Sequence, residues 1–100
     1  MKDFLLLMHN DLPSGASRPT EEWATYFAKL RAAGVFQGGS SIGGGICSRR
    51  SGDSPGITSH LSGYIRVMAV DLEAARDLVA GNPVYEAGGT VEIRELPRDE

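Results

Sequence analysis

The sequence predicts an α+β, ferredoxin-like βαββαβ fold, and three observations carry that prediction. From residue 60 the chain reads HLSGYIRVMAVDLEAARDLVAGNPVYEAGGTVEIRELP: an apolar run, a short amphipathic stretch stopped by Gly81-Asn82-Pro83, then an alternating Val-Glu-Ile-Arg-Glu-Leu. That pattern is strand, helix, strand. A second strand and helix stand upstream, and each helix has one apolar face. Both can therefore lie on one side of a four-stranded antiparallel sheet, leaving the other side bare.

Residues 3–9 form a compact apolar run bounded by the turn formers Asn10-Asp11-Leu12-Pro13-Ser14-Gly15, which makes them strand 1, buried on both faces. Thr20 is placed to cap a helix whose first turn carries Glu21 and Glu22, acids that complement the helix dipole. Trp23, Phe27 and Leu30 then recur at i, i+4 and i+7, with Tyr26 widening the stripe, and Gly34 supplies a left-handed stop. Strand 2 spans residues 35–41, where its glycines point to a bulge, an edge or a close approach of another group. Residues 43–59 read as a long loop, with some edge-strand content or a functional role expected of it.

Strand 3 covers residues 60–70, with Leu61, Ile65, Val67 and Ala69 on one side and His60, Tyr64, Arg66 and Met68 on the other. Asp71 caps helix 2, whose Leu72, Ala75, Leu78 and Val79 face the sheet and which Gly81 ends. Strand 4 spans residues 90–96. Strands 1 and 3 are read as parallel neighbours, an arrangement that carries the end of strand 1 away from His60 and keeps His9 and His60 apart.

Composition narrows the class of protein. One hundred residues suit a single domain covering residues 1–100. A net charge of -3 leaves no excess of cations for nucleic acid phosphates. The single cysteine, Cys47, has no partner for an internal disulfide. No leader pattern opens the chain, and the longest apolar run, from Phe4 to Met8, is far shorter than the roughly 20 residues of a membrane span. A soluble, cytoplasmic protein is expected, acting on neither nucleic acid nor membrane.

The bare sheet face bears on assembly. Tyr64, Met68 and Val70, with alternate residues of strand 1, make it too apolar for a lone chain, and a homodimer packing two sheets face to face is the simplest remedy.

Lys2-Asp3-Phe4-Leu5-Leu6-Leu7-Met8, the aromatic helix leading into Ala33-Gly34-Val35, Gly39-Ser40-Ser41-Ile42, Gly63-Tyr64-Ile65, Asp71-Leu72-Glu73-Ala74-Ala75 and Val91-Glu92-Ile93-Arg94-Glu95-Leu96-Pro97 occur in an order that resembles the YCII-related family, including its DGPF branch. The resemblance covers nearly the whole chain and implies a dimeric α+β barrel. It implies no catalytic residue. The Asp-Gly-Pro-Phe tetrapeptide is absent, and the histidine that enzymes of the YCII branch pair with an aspartate lies on the first helix, where this chain has none between residues 20 and 33.

Candidate chemistry comes from the residues themselves. His9 with Asp11 closes strand 1, where a carboxylate can orient an imidazole as a general base. His60, Tyr64 and Arg66 recur with period two and offer a titratable group, a hydroxyl and a fixed cation, a set suited to a small anionic or aromatic molecule. The plainer role for Arg66 is a cross-strand pair with Glu92 or Glu95. His60, His9 and Asp11 are thus the catalytic candidates. Tyr64, Arg66, Tyr85 and Trp23 are the ligand-binding ones, with Tyr85 closing a pocket edge and Trp23 either anchoring the core or lining a pocket.

No glycine cluster has the spacing of a phosphate loop and no histidine or cysteine spacing suits a metal. Two functions remain: a cofactor-independent enzyme using acid-base groups on a small polar or aromatic molecule, or a non-catalytic small-molecule-binding or regulatory module.

Overall fold

Period-two burial organises the sheet from its first strand outward. The computed structural model describes residues 1–13 and 20–98, in the order β1 (Lys2–His9), α1 (Thr20–Ala32), β2 (Phe36–Ser41), β3 (Leu61–Ala69), α2 (Leu72–Asp77), α3 (Pro83–Glu86) and β4 (Val91–Leu96). The turn expected over residues 10–15 lies partly outside the described residues.

Phe4, Leu6 and Met8 of β1 are buried beneath the helices, while Asp3, Leu5, Leu7 and His9 alternate with them and remain half-buried. Strand 1 was expected to be buried on both faces. It is buried on one, because within a single chain no layer covers the other side of the sheet.

The strand order is β2-β3-β1-β4, with every neighbouring pair antiparallel. Leu6 faces Ile65 and Ile93, Leu5 faces Arg66 and Arg94, and Leu7 faces Tyr64 and Glu92. The antiparallel β1–β3 pairing corrects the parallel reading and reverses its consequence. The end of β1 arrives at the start of β3, where His9 is opposite Leu61 and the His9 and His60 rings meet edge to face with centroids 5.2 Å apart. The physical reason is the chain's direction: each helix returns the chain before the next strand begins, and the β2–β3 connection reverses it once more.

The helices lock to one another through polar contacts as well as apolar ones. Tyr26 and Leu30 of α1 are fully buried, whereas Trp23 is only half-buried, so Tyr26 is the aromatic anchor of the core. The Tyr26 hydroxyl donates to the Leu78 carbonyl at 2.7 Å, and Lys29 Nζ donates to the Ala80 carbonyl at 2.7 Å. These two side chains satisfy carbonyls that the end of α2 leaves without helical partners. Burial pushes the Tyr26 hydroxyl up to about 12, so it is a neutral donor at ordinary pH.

Asp71 caps α2 by accepting from the Ala74 amide at 2.8 Å. The helix is shorter than its pattern suggests, ending at Asp77 rather than at Gly81. Ala75 and Val79 are buried and Leu78 half-buried, but Leu72 is 53% exposed and does not face the sheet. Leu72 is the first helical residue and lies on the solvent side of a helix too short to bury more than one stripe.

The segment after α2 contains α3: Asn82 Oδ1 accepts from the Val84 and Tyr85 amides, and Pro83 occupies the first helical position. Asn-Pro is itself a helix-start signal.

Residues 42–60 contain no helix or strand. Two of the hydrogen bonds inside this connection run from Cys47 Sγ to the Gly56 carbonyl and from Arg49 to the Asp53 carbonyl, and Ile46 is 91% exposed. The radius of gyration is 15.2 Å, against about 13 Å for a compact chain of this length.

The contrast between Leu30 and Leu72 is measurable. Leu30→Ala is expected to lower unfolding free energy by about 2–5 kcal/mol in urea titrations, and Leu72→Ala by no more than about 0.5 kcal/mol. Equal losses would show that α2 docks through Leu72 after all.

Candidate functional site

A cavity and a polar cluster occupy the two faces of the sheet at the end where β1 finishes and β3 begins. The cavity, of about 360 Å³, lies between α1 and the β2–β3 side of the sheet. Its existence follows from the sequence. Gly39 faces Ile65 and Gly63 faces Ser41, so all four positions belong to the helix-facing side, and two of them have no side chain. The strands approach closely there: a Cβ on Gly39 would lie 2.5 Å from the Tyr64 carbonyl oxygen, and one on Gly63 would lie 3.1 Å from that of Ser40.

Above this backbone floor stand Trp23 and Phe27, whose rings are 5.5 Å apart with planes inclined by 31°. Met8, Leu12 and Val84 close the sides. Among the described residues the lining contains no Asp, Glu, Lys, Arg or His.

On the open face, Leu5 is flanked by Arg66 and Arg94, and Leu7 by Tyr64 and Glu92. One step further along β1, His9 Nε2 is 2.8 Å from Glu92 Oε1, and Arg94 Nη1 donates to the other carboxylate oxygen at 3.1 Å. The His9 bond and then the Arg94 bond hold the Glu92 carboxyl below its usual range. Glu92 is therefore a fixed acceptor. With a neutral ring, Nε2–H donates to Glu92 and the Nδ1 lone pair is left as a base.

The predicted site residues divide between these places. His9 has a carboxylate partner, but it is Glu92. Asp11 is taken by Thr90, accepting from its hydroxyl at 2.6 Å and its amide at 2.9 Å, bonds that hold the Asp11 carboxyl below its usual range and tie the end of β1 to the start of β4. His60 is exposed and reaches the cluster through its ring contact with His9.

Trp23 lines the cavity, and Tyr64 borders it from a β3 position that alternates to the open face. Arg66 is exposed on the open face, outside the lining of that cavity and of a second one bordered by Tyr85, itself 52% exposed. Arg66 does not pair with Glu92 or Glu95: the former holds His9 and Arg94, and the latter lies 3.9 Å from Lys2. Among the described residues no group of three or more His, Cys, Asp or Glu is arranged to hold a metal, and no helix is long and apolar enough to cross a membrane.

Glu92 was absent from the candidates as a partner for His9. The signal was available in the alternation of β4, which puts Glu92 and Arg94 on one face, but only the β1–β4 register brings them to His9.

Among solved structures, the chain is similar to 5-chloro-2-hydroxyhydroquinone dehydrochlorinase (TftG) from Burkholderia phenoliruptrix AC1100, solved in complex with 2,5-dihydroxybenzoquinone. The TM-score is 0.59 at 15% sequence identity, over 97% of this chain and 95% of that one. No protein-family model matches, and no curated protein matches. The likeness establishes the class: an α+β, ferredoxin-like fold with its helices on one face of a four-stranded antiparallel sheet. That fold is the one implied by resemblance to the YCII-related family.

Three depressed carboxylates bracket the β1–β4 pair: Asp3 through its bond to Arg98, Asp11 through Thr90, and Glu92 through His9. A carboxylate lowered in the folded state contributes stability above its unfolded pKa and loses it as pH falls through the folded value. The melting temperature is accordingly expected to hold from neutrality to about pH 5 and to fall below about pH 4. Asp11→Asn is expected to lower it at pH 7 and make the acid decline shallower, as read by circular dichroism melts across pH.

Proposed function

We propose that this chain is a YCII-related protein that binds a small aromatic molecule in the cavity beneath α1. The observation that carries this reading is the pairing of Trp23 and Phe27 over a floor of glycine backbone, a flat slot with apolar walls and a few polar groups. The similar dehydrochlorinase, whose title names a small quinoid ligand, adds support at the level of fold.

Trp23 is the single tryptophan and lines the slot, so its fluorescence reports occupancy. Titration with hydroquinone is expected to give a saturable change. Ser41→Phe, which fills the slot from an edge strand, is expected to abolish it. Unchanged affinity in that variant would place the ligand elsewhere.

A second reading is favoured by the 2.8 Å bond between His9 and Glu92. Here the protein is a cofactor-independent enzyme of the cytoplasm. His9 moves the proton, Glu92 orients it, His60 stands beside it, and Tyr64 and Arg66 hold a small anionic or aromatic substrate on the open face. A second copy closes that face over Leu5, Leu7 and Met68, making a homodimeric α+β barrel.

This reading expects sedimentation of a dimer that Leu7→Asp dissociates by burying an unpaired charge. It also expects exchange of ring hydrogens of a dihydroxyarene with D₂O, followed by NMR, to slow by roughly a hundredfold or more in His9→Gln. A monomeric wild type, or exchange indifferent to His9, would leave the binding reading alone.

A further inference from the structure

The composition of the cavity lining defines its occupant more narrowly than its shape does. Resting on the reading that the slot holds an aromatic ring, we infer that its ligand is an uncharged monocyclic arene bearing a hydroxyl group. The ring lies over the backbone of Gly39 and Gly63, and Ser41 engages the hydroxyl.

The first argument is charge. Thirteen described residues line the cavity and none of them carries an ionic side chain. A carboxylate or ammonium entering it would lose water and gain no counter-charge, a cost that a neutral ring avoids. The cations of the open face are no help to such a ligand, since Arg66 and Arg94 belong to the opposite side of the sheet, flanking Leu5.

The second argument is thickness. Gly63 is buried on the helix-facing side, where its neighbours along β3 are the buried Ile65 and Val67. A side chain at this position would point to the helix-facing side, where the cavity lies, and its absence leaves that space open. A Cβ there would also meet Met8 Cε at 3.2 Å. Flat rings gain stacking against the Trp23 and Phe27 faces that a puckered aliphatic ring of the same size does not.

The third argument is polarity. Ser41 faces Gly63 and therefore stands on the floor side of the slot. Unlike Ser40, whose hydroxyl donates to the Ser41 carbonyl at 2.9 Å, and Ser62, whose hydroxyl donates to the Met8 carbonyl at 3.3 Å, Ser41 has no side-chain hydrogen bond to any described residue. Its hydroxyl is free to donate to, or accept from, a single polar group on the ring edge.

The test is a ligand panel read through Trp23 fluorescence excited beyond phenol absorption and repeated by calorimetry: phenol, toluene, benzoate and cyclohexanol against the intact protein. Phenol is expected to bind more tightly than benzoate by more than about tenfold and more tightly than cyclohexanol. Ser41→Ala is expected to weaken phenol about three- to tenfold and to leave toluene unchanged. Gly63→Ala is expected to weaken both by roughly tenfold, since one methyl raises the floor of a packed slot.

Benzoate binding as well as phenol overturns the inference on charge while leaving the aromatic-binding reading intact. Cyclohexanol binding as well as phenol overturns it on shape, and equal losses of phenol and toluene in Ser41→Ala overturn the assignment of that hydroxyl. If no arene produces a saturable change, the proposed function itself fails. Should Gly63→Ala not fold, the panel on the unmodified protein and Ser41→Ala decide the matter.

Discussion

β1 is hydrogen-bonded along both edges, and its antiparallel register with β3 and β4 is the constraint on which the rest of the structure depends. Because successive residues of a strand point to opposite faces, that register sorts three strands at once: Phe4, Leu6, Met8, Ile65 and Val67 to the helices, Leu5, Leu7, Tyr64, Arg66, Glu92 and Arg94 to the open face. A slip of one residue would turn Arg66 into the core and expose Ile65, burying an unpaired charge at high cost. The end of the same strand meets two neighbours simultaneously. His9 bonds Glu92 of β4 while its ring touches His60 at the threshold of β3.

The helical layer depends on that sorting in turn. Tyr26 reaches across to the Leu78 carbonyl, and its ring is buried in the core cluster to which Phe4 and Leu6 also belong. Toward the other end of the sheet the floor changes character. Gly39 and Gly63 replace bulky residues, α1 carries large rings at Trp23 and Phe27, and the layers stay apart instead of interdigitating. Close packing is the rule in protein interiors, and a gap lined by two aromatic rings departs from it where a ligand would restore the contacts.

Most of this architecture was legible in the sequence because it follows from periodicity. Alternation gave the faces of strand 3, the i, i+4, i+7 stripe gave α1, and Asp71 announced its own capping role. What escaped depended on contacts between distant segments. The β1–β3 direction cannot be read from either strand alone, and misreading it separated His9 from His60. Glu92 is one of several acids near the carboxyl end of the chain, and nothing local marks it as the partner of His9 in place of Asp11, which is close in sequence but committed to Thr90. Leu72 obeys helical spacing yet is exposed, because a six-residue helix has too few turns for the pattern to dictate burial. The glycines of β2 were legible as a place of close approach. The pairing of Gly39 with Ile65 and of Ser41 with Gly63, which turns that approach into a cavity floor, was not.

The separation of the two candidate sites by one layer of backbone has a mechanistic consequence. Met8 lines the cavity and His9, the next residue, faces the opposite side with its carboxylate partner. A ring lying in the slot is therefore out of line with the imidazole, and a proton cannot pass between them without a change in the end of β1. The irregular register between Met8 and His9 is where such a change would be least costly, since a bulge already breaks the ladder there. Unless that bulge moves, the proposed binding in the slot and the proposed acid-base chemistry on the open face would be separate activities of one sheet. A substitution at Ser41 then reports on the first and one at His9 on the second, with no coupling between them.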